Sequence, residues 1–433
     1  MFLSTFEGLR KSIIINRTID SLLHLSRGVF GADFGASSAV IANTMSFDAC
    51  GTYFRLIERT FQEFDQKHLQ LLFEKTLLNH DFRYLFADYC KDVEDIIYSE
   101  QGAKIYYSHV SQANFEKIPG CPIGYWVSDG IVESFNNATV DTISKPSKGM
   151  MPGSDFLRFY WEISKNNVAI NIHTHEQSKE SNLRWYLYFK GGSFRRWAGN
   201  LMYVVDYQND GKKVKLGDRN PSLYFNDNIN WSKISSGKYS ARIGRAGSLY
   251  DDAACQCKVF DAANYNYLLG FLNSKIAQEQ LWCQSQTFNY ISSEVGACSI
   301  IIQDNNSKTI CDIVSQNILI SKLDWDAHET SWDFQQNELI SLIEFTEQDL
   351  ITESLTALCS TAHSNLGSHR ADEIPCAVRL QDLMECYHQK WSTLFMQLHV
   401  NEEELNRRFI DIYGLQDELI PDVPLNEITI LQQ

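Results

Sequence analysis

The sequence predicts a multidomain α+β protein, and three observations lead to that prediction. The chain has 433 residues, which at roughly 150 residues per domain suggests about three domains. Residues 145–320 consist of short aromatic and β-branched runs separated by turn signals, for example at Asn209-Asp210-Gly211 and Asn220-Pro221, and this texture predicts strands. Helically spaced apolar residues lie on both sides of that block. With 44% hydrophobic residues and 8 prolines, the composition excludes a disordered or collagen-like chain.

The first 45 residues are predicted to form a helix followed by two strands. Apolar residues with helical spacing, from Phe6 to Ile14, indicate the helix. Residues 21–25 and 38–42 are short apolar runs with a glycine-rich stretch between them, which indicates two strands and a tight connection. Three elements are too few to enclose a core, so we expect this segment to be part of a larger domain.

Residues 46–144 are predicted to be a helical connector, because 55–78 and 82–97 both have an amphipathic helical pattern. After residue 320 the helical period returns. It is strongest near the end, where Asn401 is predicted as an N-cap, Leu405 and Phe409 share one face, and Gly414 is predicted as the C-terminal cap.

The charge is unevenly distributed along the chain. The net charge of −16 includes one basic segment, residues 182–246, which has 12 Lys and Arg against 4 Asp and Glu. Residues 321–433 have 6 Lys and Arg against 21 Asp and Glu. We expect this acidic part to keep non-specific polyanion binding weak.

Several classes of protein are not indicated by the sequence. No apolar run approaches the 18 residues of a membrane span, and the N-terminus lacks a secretion signal, so we expect a cytoplasmic protein without a membrane partner. The 11 cysteines include no C-x-x-C pair, which argues against a disulfide framework and a four-cysteine zinc site. Phosphate-loop, dinucleotide, H-E-x-x-H and G-x-S-x-G motifs are absent.

Two close pairs of metal-ligand residue types are interpreted without a metal. His173 and His175, and likewise Cys255 and Cys257, would share one face of a strand. Zinc requires at least one more ligand, and none is spaced convincingly nearby. We therefore favour surface histidines and small strand residues.

The basic segment is also aromatic. It contains Trp185, Tyr186, Tyr188, Phe189, Phe194, Trp197, Tyr203, Tyr207, Tyr224, Phe225, Trp231 and Tyr239. Cations that neutralise phosphates, interleaved with rings that stack on bases, are typical of a nucleic-acid surface. The alternative is a β domain with an aromatic core and solvated Lys and Arg, and composition alone does not decide between them.

Several strings carry a family resemblance. KGGSFRRWAGN at 190–200, with YVVD at 203–206, closely resembles the middle of the adenine-specific DNA methyltransferases of BREX phage-defence systems, the PglX family. The resemblance continues in order through FEKIPGCPIGYWVS (115–128), WSKISSG (231–237), LLGFLNS (268–274), ETSWDF (329–334), and EELNRRFI with IYGL (403–415).

The resemblance implies methyl transfer from S-adenosylmethionine to the amine of an adenine that is flipped out of duplex DNA. In the family, an Asn-Pro-Pro-Tyr motif holds that amine, and this chain has no adjacent prolines and no glycine-rich cofactor loop. The resemblance therefore implies S-adenosylmethionine for the complete family enzyme, and no cofactor or catalytic residue in this chain alone. Residues 1–45 resemble the last strands of a Rossmann-like methyltransferase domain.

One further position is carried over from the family. The turn Gly28-Val29-Phe30 resembles the place where amino-methyltransferases put an aromatic ring against the flipped base, so Phe30 is a candidate stacking residue. The alternative is a Phe buried between two strands. The string GMMPGSD at 149–155 departs from the family's Thr-Gly-Asn-like turn, so no base contact is carried over there.

Together these observations predict a partial α/β methyltransferase edge (1–45), a helical connector (46–144), a β-rich DNA target-recognition domain (145–320) and an acidic helical domain (321–433). The predicted function is target recognition within an adenine-specific DNA methyltransferase. Its partners would be duplex DNA and an N-terminal methyltransferase half or other BREX subunits. The candidate DNA contacts are Lys190, Arg195, Arg196 and Trp197, with Lys233, Lys238 and Arg242 on phosphates.

Two other functions remain open at this point. One is a non-catalytic DNA- or protein-binding subunit of a defence complex. The other is a carbohydrate- or protein-binding β module, which the aromatic content permits but the clustered basic residues do not favour.

Overall fold

The computed structural model describes residues 6–31, 35–44, 49–58, 62–170, 172–214, 221–235, 238–284, 289–342 and 380–431. The predicted turns at Asn220 and at 236–237 lie outside these ranges, as does part of the predicted C-terminal domain, 343–379. Among the residues that the structure describes, no helix combines the length and apolar character that crossing a bilayer requires.

The structure is a mixed α+β arrangement with several small sheets, as predicted for the fold class. The strands are β1 (Thr18–Arg27), β2 (Gly35–Ala42), β3 (Cys50–Arg55), β4 (Arg83–Tyr84), β5 (Ala103–Lys104), β6 (Tyr106–Ser111), β7 (Ser144–Ser147), β8 (Leu157–Phe159), β9 (Val168–Ala169), β10 (Trp185–Phe189), β11 (Tyr203–Asp206), β12 (Ile229–Ser232), β13 (Ala241–Ile243), β14 (Leu249–Tyr250) and β15 (Ala254–Val259). The helices are α1 (Glu7–Asn16), α2 (Gln66–Leu78), α3 (Asn114–Lys117), α4 (Asp129–Glu133), α5 (Val140–Ile143), α6 (His175–Glu180), α7 (Gln208–Gly211), α8 (Tyr265–Leu272), α9 (Lys275–Gln284), α10 (Ser292–Ala297), α11 (Asp304–Asp326) and α12 (Leu380–Tyr413).

The N-terminal elements form where the sequence places them. Helix α1 is followed by the antiparallel pair β1 and β2, in which Leu23 lies opposite Ser38. Gly28 and Gly31 have φ values of +83° and +73°, left-handed conformations that glycine adopts at low cost, and Gly31 N donates to Gly28 O across the turn at 2.8 Å. The prediction of one helix and two strands is confirmed.

The sheet does not end at residue 45. Its strand order is β2-β1-β3-β6, with β3 parallel to β1 and β6 antiparallel to β3. The segment predicted as a helical connector thus supplies half of this sheet, and among its described residues only α2 forms a long helix. The helix predicted over 82–97 is wrong, since β4 and a 3-10 turn at Phe86–Asp88 occupy that stretch. Phe82, Tyr84 and Ile96 enter one core from β4 and the irregular chain around it, so their helical spacing is fortuitous.

The predicted β block is β-rich only as far as β15. It contains two sheets, β14-β10-β11-β8 with β9 on β10, and β13-β12-β15-β7. The predicted turn at Asn209 and Asp210 is confirmed, because both residues have positive φ within the kinked α7. Among the described residues from Tyr265 onward, the regular elements are helices, which corrects the prediction. Nearly all of α8 is buried, so its sequence lacks the single apolar face by which helices are recognised.

The final helix begins earlier than predicted. Asn401 is not an N-cap but lies inside α12, where it is buried and its Nδ2 donates to Asn317 Oδ1 of α11 at 2.8 Å. The predicted end is confirmed. Gly414 has φ +67°, and Gly414 N and Leu415 N donate to Asp411 O and Ile410 O in a Schellman arrangement.

The largest hydrophobic core joins the sheet of β12 and β15 to the helices that follow it. Trp231 and Cys255 from the strands, Leu268 from α8, Ile310 from α11 and Phe409 from α12 all belong to this core. The core therefore continues across residue 320, and the β-rich part and the C-terminal helices are held against each other by buried apolar contact.

Candidate nucleic-acid interface

The chain between β10 and β11, residues 190–200, forms a tightly closed loop. Gly192 has φ +141°, and a Cβ added there would lie 2.8 Å from the side chain of Asn200, so the loop has no room for a larger residue. Trp197 N donates to Ala241 O at 3.0 Å and Ile243 N donates to Trp197 O at 2.8 Å. These bonds fix the loop along β13.

The side chain of Arg195 points into the protein. It is buried, and its Nη2 lies 2.6 Å from Asp324 Oδ2 on α11. Its Nε donates to Ala198 O at 2.8 Å, and its guanidinium carbon lies 5.0 Å from the centre of the Trp325 ring. A buried charge requires such partners, because an unpaired one is strongly destabilising.

Arg196 and Trp197 share one carboxylate, that of Glu402 on α12. Arg196 Nη1 donates to Glu402 Oε2, and Trp197 Nε1 donates to Glu402 Oε1 at 2.7 Å. Arg196 Nη2 also lies 3.5 Å from Glu427 Oε2. Arg196, Trp197 and Glu402 are all buried, so this cluster is an interior contact between the β10–β11 loop and the C-terminal helix.

Arg242 is fully buried on β13. Its Nη2 donates to Ser232 Oγ at 2.9 Å and its Nη1 to Arg195 O at 3.2 Å. Burial lowers the pKa of this guanidinium to about 10, which leaves it cationic at neutral pH. Its hydrogen bonds also hold the backbone of the β10–β11 loop at Arg195.

Four of the predicted DNA contacts therefore point inward: Arg195, Arg196, Trp197 and Arg242. Contact between their side chains and DNA would require these buried bonds to break, and their role in DNA binding stays a prediction. Sequence reasoning missed the acidic partners Asp324 and Glu402 because they are more than 100 residues away. The signal that points to them is the charge contrast between the basic segment and the acidic C-terminal part.

The three predicted lysines lie nearer the surface. Lys238 Nζ pairs with Glu427 Oε1 at 2.7 Å, and Lys233 Nζ pairs with Asp252 Oδ2 at 2.6 Å. Lys190 Nζ lies 5.5 Å from the centre of the Tyr203 ring. Lys238 shares Glu427 with Arg196, whereas Lys233 and Lys190 have partners of their own.

Phe30 lies at the turn between β1 and β2 with 71% of its surface exposed. The alternative of a Phe buried between two strands is therefore wrong. An exposed ring at a sheet edge is available for stacking, and the stacking role itself stays a prediction.

The two metal-like pairs have different settings. His173 and His175 do not share a strand, because Thr174 caps α6 through its side chain, and His175 Nε2 lies 3.1 Å from Asp210 Oδ1. Cys255 and Cys257 do lie on β15, and burial raises the pKa of their thiols to about 11 and about 12, so both stay protonated. Within the described part of the chain, no three His, Cys, Asp or Glu side chains are grouped as a metal site would require.

Two solved structures have a distant likeness to this chain. One is the type IIG restriction endonuclease BpuSI, with a TM-score of 0.29 and 11% identity over 72% of this chain and 40% of that one. The other is the type IIL restriction-modification enzyme MmeI in complex with DNA, with a TM-score of 0.39 and 10% identity over 96% of this chain and 45% of that one.

No protein-family model matches the chain. Curated relatives do match it. The adenine-specific methyltransferase PglX of Lacticaseibacillus casei (strain Zhang) is 27% identical over 99% of this chain and 32% of its own length. The adenine-specific methyltransferase BrxX of Escherichia coli O9:H4 (strain HS) is 28% identical over 78% of this chain and 26% of its own length. The chain thus spans a third or less of the length of these relatives, and along most of its own residues it is similar to these adenine-specific methyltransferases, PglX and BrxX.

Proposed function

We propose that this chain is the DNA target-recognition portion of a site-specific adenine DNA methyltransferase. The observation that carries the proposal is the alignment of 99% of the chain with one third of an adenine-specific methyltransferase, in a region without the Asn-Pro-Pro-Tyr motif. The basic and aromatic residues 182–246 support it, since phosphate neutralisation and base stacking both require those residue types.

We place target recognition in residues 145–320 and regard the acidic residues 321–433 as their support. The ion pairs of Arg195 with Asp324 and of Arg196 with Glu402 favour this division of roles. In this proposal the buried arginines, Arg242 included, set the shape of the β10–β11 loop and do not contact DNA. The phosphate contacts fall to Lys190, Lys233 and Lys238.

The proposed protein partner is a methyltransferase half that adds strands to the N-terminal sheet. In the described residues β2 ends the order β2-β1-β3-β6, so its outer edge has no paired strand. Several apolar side chains near this edge are exposed, among them Val40, Ile41 and Phe30. An unpaired apolar edge favours strand addition. Co-expression with the upstream half of a relative should increase the soluble yield of the chain, and an unchanged yield would count against this partner.

S-adenosylmethionine is implied for the complete family enzyme, whereas the lack of an Asn-Pro-Pro-Tyr motif and of a glycine-rich cofactor loop in this sequence argues against its binding to this chain alone. We therefore expect titration calorimetry of the pure chain with S-adenosylmethionine to show no heat of binding. Micromolar affinity would overturn this expectation.

The decisive experiment for the proposed function is DNA binding by the isolated chain. Fluorescence anisotropy with a labelled duplex should show binding at 50 mM salt, and the logarithm of the affinity should fall linearly with the logarithm of salt, by about 0.9 per phosphate neutralised. Absence of binding at low salt would contradict the proposal and favour a protein-binding subunit.

A further inference from the structure

An exposed aromatic surface lies beside the β10–β11 loop and includes Trp161 and Phe159, which sequence reasoning did not select. Trp161 follows β8 and is 60% exposed. Its ring is stacked on that of Phe159, with centres 4.2 Å apart and an angle of 7° between the planes. Phe159 in turn packs against Tyr203 of β11, with ring centres 4.5 Å apart. We call Trp161, Phe159 and Tyr203 the aromatic platform.

The platform is held rigidly by the sheet. Phe159 and Tyr203 are paired residues of adjacent strands, and Tyr160 N donates to Met202 O at 2.9 Å. The ring of Tyr160 meets that of Trp161 edge-on, with centres 4.9 Å apart. Because its neighbours already hold the indole in one position, little side-chain entropy is lost when it stacks on a base.

The charges around the platform suit a nucleotide. Lys190 Nζ lies 5.5 Å from the Tyr203 ring and is a cation at one end of the platform. Glu162 is the nearby acid in the sequence, and its Oε2 accepts a hydrogen bond from Phe159 N at 2.6 Å, which holds the carboxylate against the backbone of β8. Strand β8 ends the strand order β14-β10-β11-β8, so the platform lies at the edge of this sheet in the part of the chain that the structure describes.

We propose that Trp161 stacks on a base of bound DNA while Lys190 contacts the phosphate backbone beside it. Phe159 covers one face of the indole, and the exposed fraction of Trp161 leaves the other face for the base. This inference rests on the proposed function and adds a base-contacting residue to it. A protein surface docking on the same platform is the competing occupant. The cation at Lys190 favours a nucleic acid over any protein surface that is not acidic.

The test compares substitutions of Trp161 with a matched control. Phe260, just after β15, is 61% exposed, so Phe260→Ala removes a ring of similar exposure from a different sheet. Stacking of one base predicts that Trp161→Ala weakens binding of the full chain to a mixed-sequence duplex about tenfold, which equals about 1.4 kcal/mol. Trp161→Tyr should retain affinity within about threefold, and Phe260→Ala should bind like wild type.

The salt dependence separates stacking from charge. Trp161→Ala removes no charge and should leave the salt slope unchanged, whereas Lys190→Ala should flatten it by about one unit. Trp161→Leu, which keeps apolar cover without a ring, should bind as weakly as Trp161→Ala and serves if the alanine variant fails to fold.

The outcomes distinguish a failure of the Trp161 base contact from a failure of the proposed function. If wild type binds DNA and the Ala and Leu variants bind equally well, the platform is not a base contact and the proposed function stands. If wild type binds no DNA at low salt, both are overturned.

Discussion

Trp197 and Glu402 lie 205 residues apart in the sequence, and the indole Nε1 of Trp197 donates to Glu402 Oε1 at 2.7 Å in the protein interior. The other oxygen of that carboxylate accepts from Arg196. A family-like string at the centre of the basic segment is thus joined to the acidic C-terminal helix. Some of the cations that suggest a DNA-binding surface in the sequence therefore belong to a buried contact between the β10–β11 loop and α12.

The first prediction concerns how much this buried contact stabilises the protein. Glu402→Ala should destabilise the protein by about 3 to 5 kcal/mol, because it removes the main partner of a buried guanidinium and leaves the Trp197 N–H unpaired. Urea unfolding measures the change. Glu404→Ala is the control, since Glu404 pairs with Arg407 and Arg408 on the surface of the same helix and should cost at most about 1 kcal/mol. Equal effects at the two positions would contradict a special role for Glu402.

The second prediction separates folding from DNA reading at Arg195. Arg195→Ala and Asp324→Asn should each lower the melting temperature, and the double variant should be less destabilised than the sum of the two, because they share one buried ion pair. The affinity of the folded Arg195→Ala protein for duplex DNA should change little. A loss of about 1 to 3 kcal/mol in DNA binding with unchanged melting would show instead that Arg195 reads a base.

The third prediction concerns the phosphate contact proposed for Lys238. Lys238→Ala should weaken binding to all duplexes alike and flatten the salt slope by about one unit. Glu427→Gln should have the opposite effect on affinity, because it releases Lys238 from its carboxylate. Lys11→Ala is a matched control, since Lys11 is similarly exposed (48% against 45%) and is also paired with a Glu. Equal slopes for the Lys238 and Lys11 variants would remove Lys238 from the interface.

The fourth prediction is a pH dependence of stability from His24. Burial and the nearby Arg55 lower the pKa of this imidazole to about 3, and His24 Nδ1 lies 3.0 Å from Tyr125 Oη. In the unfolded chain the pKa is near 6.5, so below that pH the unfolded state binds a proton that the folded state does not. The contribution of His24 to the free energy of unfolding is therefore complete above about pH 6.5 and decreases as the pH falls toward 3.

The difference between the folded and unfolded pKa of His24 lowers the unfolding free energy by about 2 kcal/mol at pH 5 relative to pH 7.5. His24→Gln should remove that part of the pH dependence. Tyr125→Phe is the control, because it keeps the imidazole and should keep the dependence. If His24→Gln and wild type lose equal stability between pH 7.5 and pH 5, His24 titrates alike in both states and the prediction is wrong.

The sequence by itself determined the features that short-range signals encode. Helix α1 is indicated by apolar residues at helical spacing, the glycines at 28 and 31 provide the left-handed turn between β1 and β2, and Gly414 ends α12. Each depends on residues within a few positions of one another. The family resemblance also follows from strings that occur in order along the chain, and these can be compared without knowledge of the fold.

The tertiary structure decided whatever depends on distant partners. Periodicity fails where an element is buried on all sides, as in α8, or where irregular chain reaches a core, as at 82–97. Asn401 has the residue type of a cap, and a buried partner on α11 placed it inside a helix. The same reason governs the site. A cation, an indole or a ring becomes a surface contact or an interior one according to its non-local neighbours, so Arg196 and Trp197 are buried against Glu402 while Trp161 remains exposed.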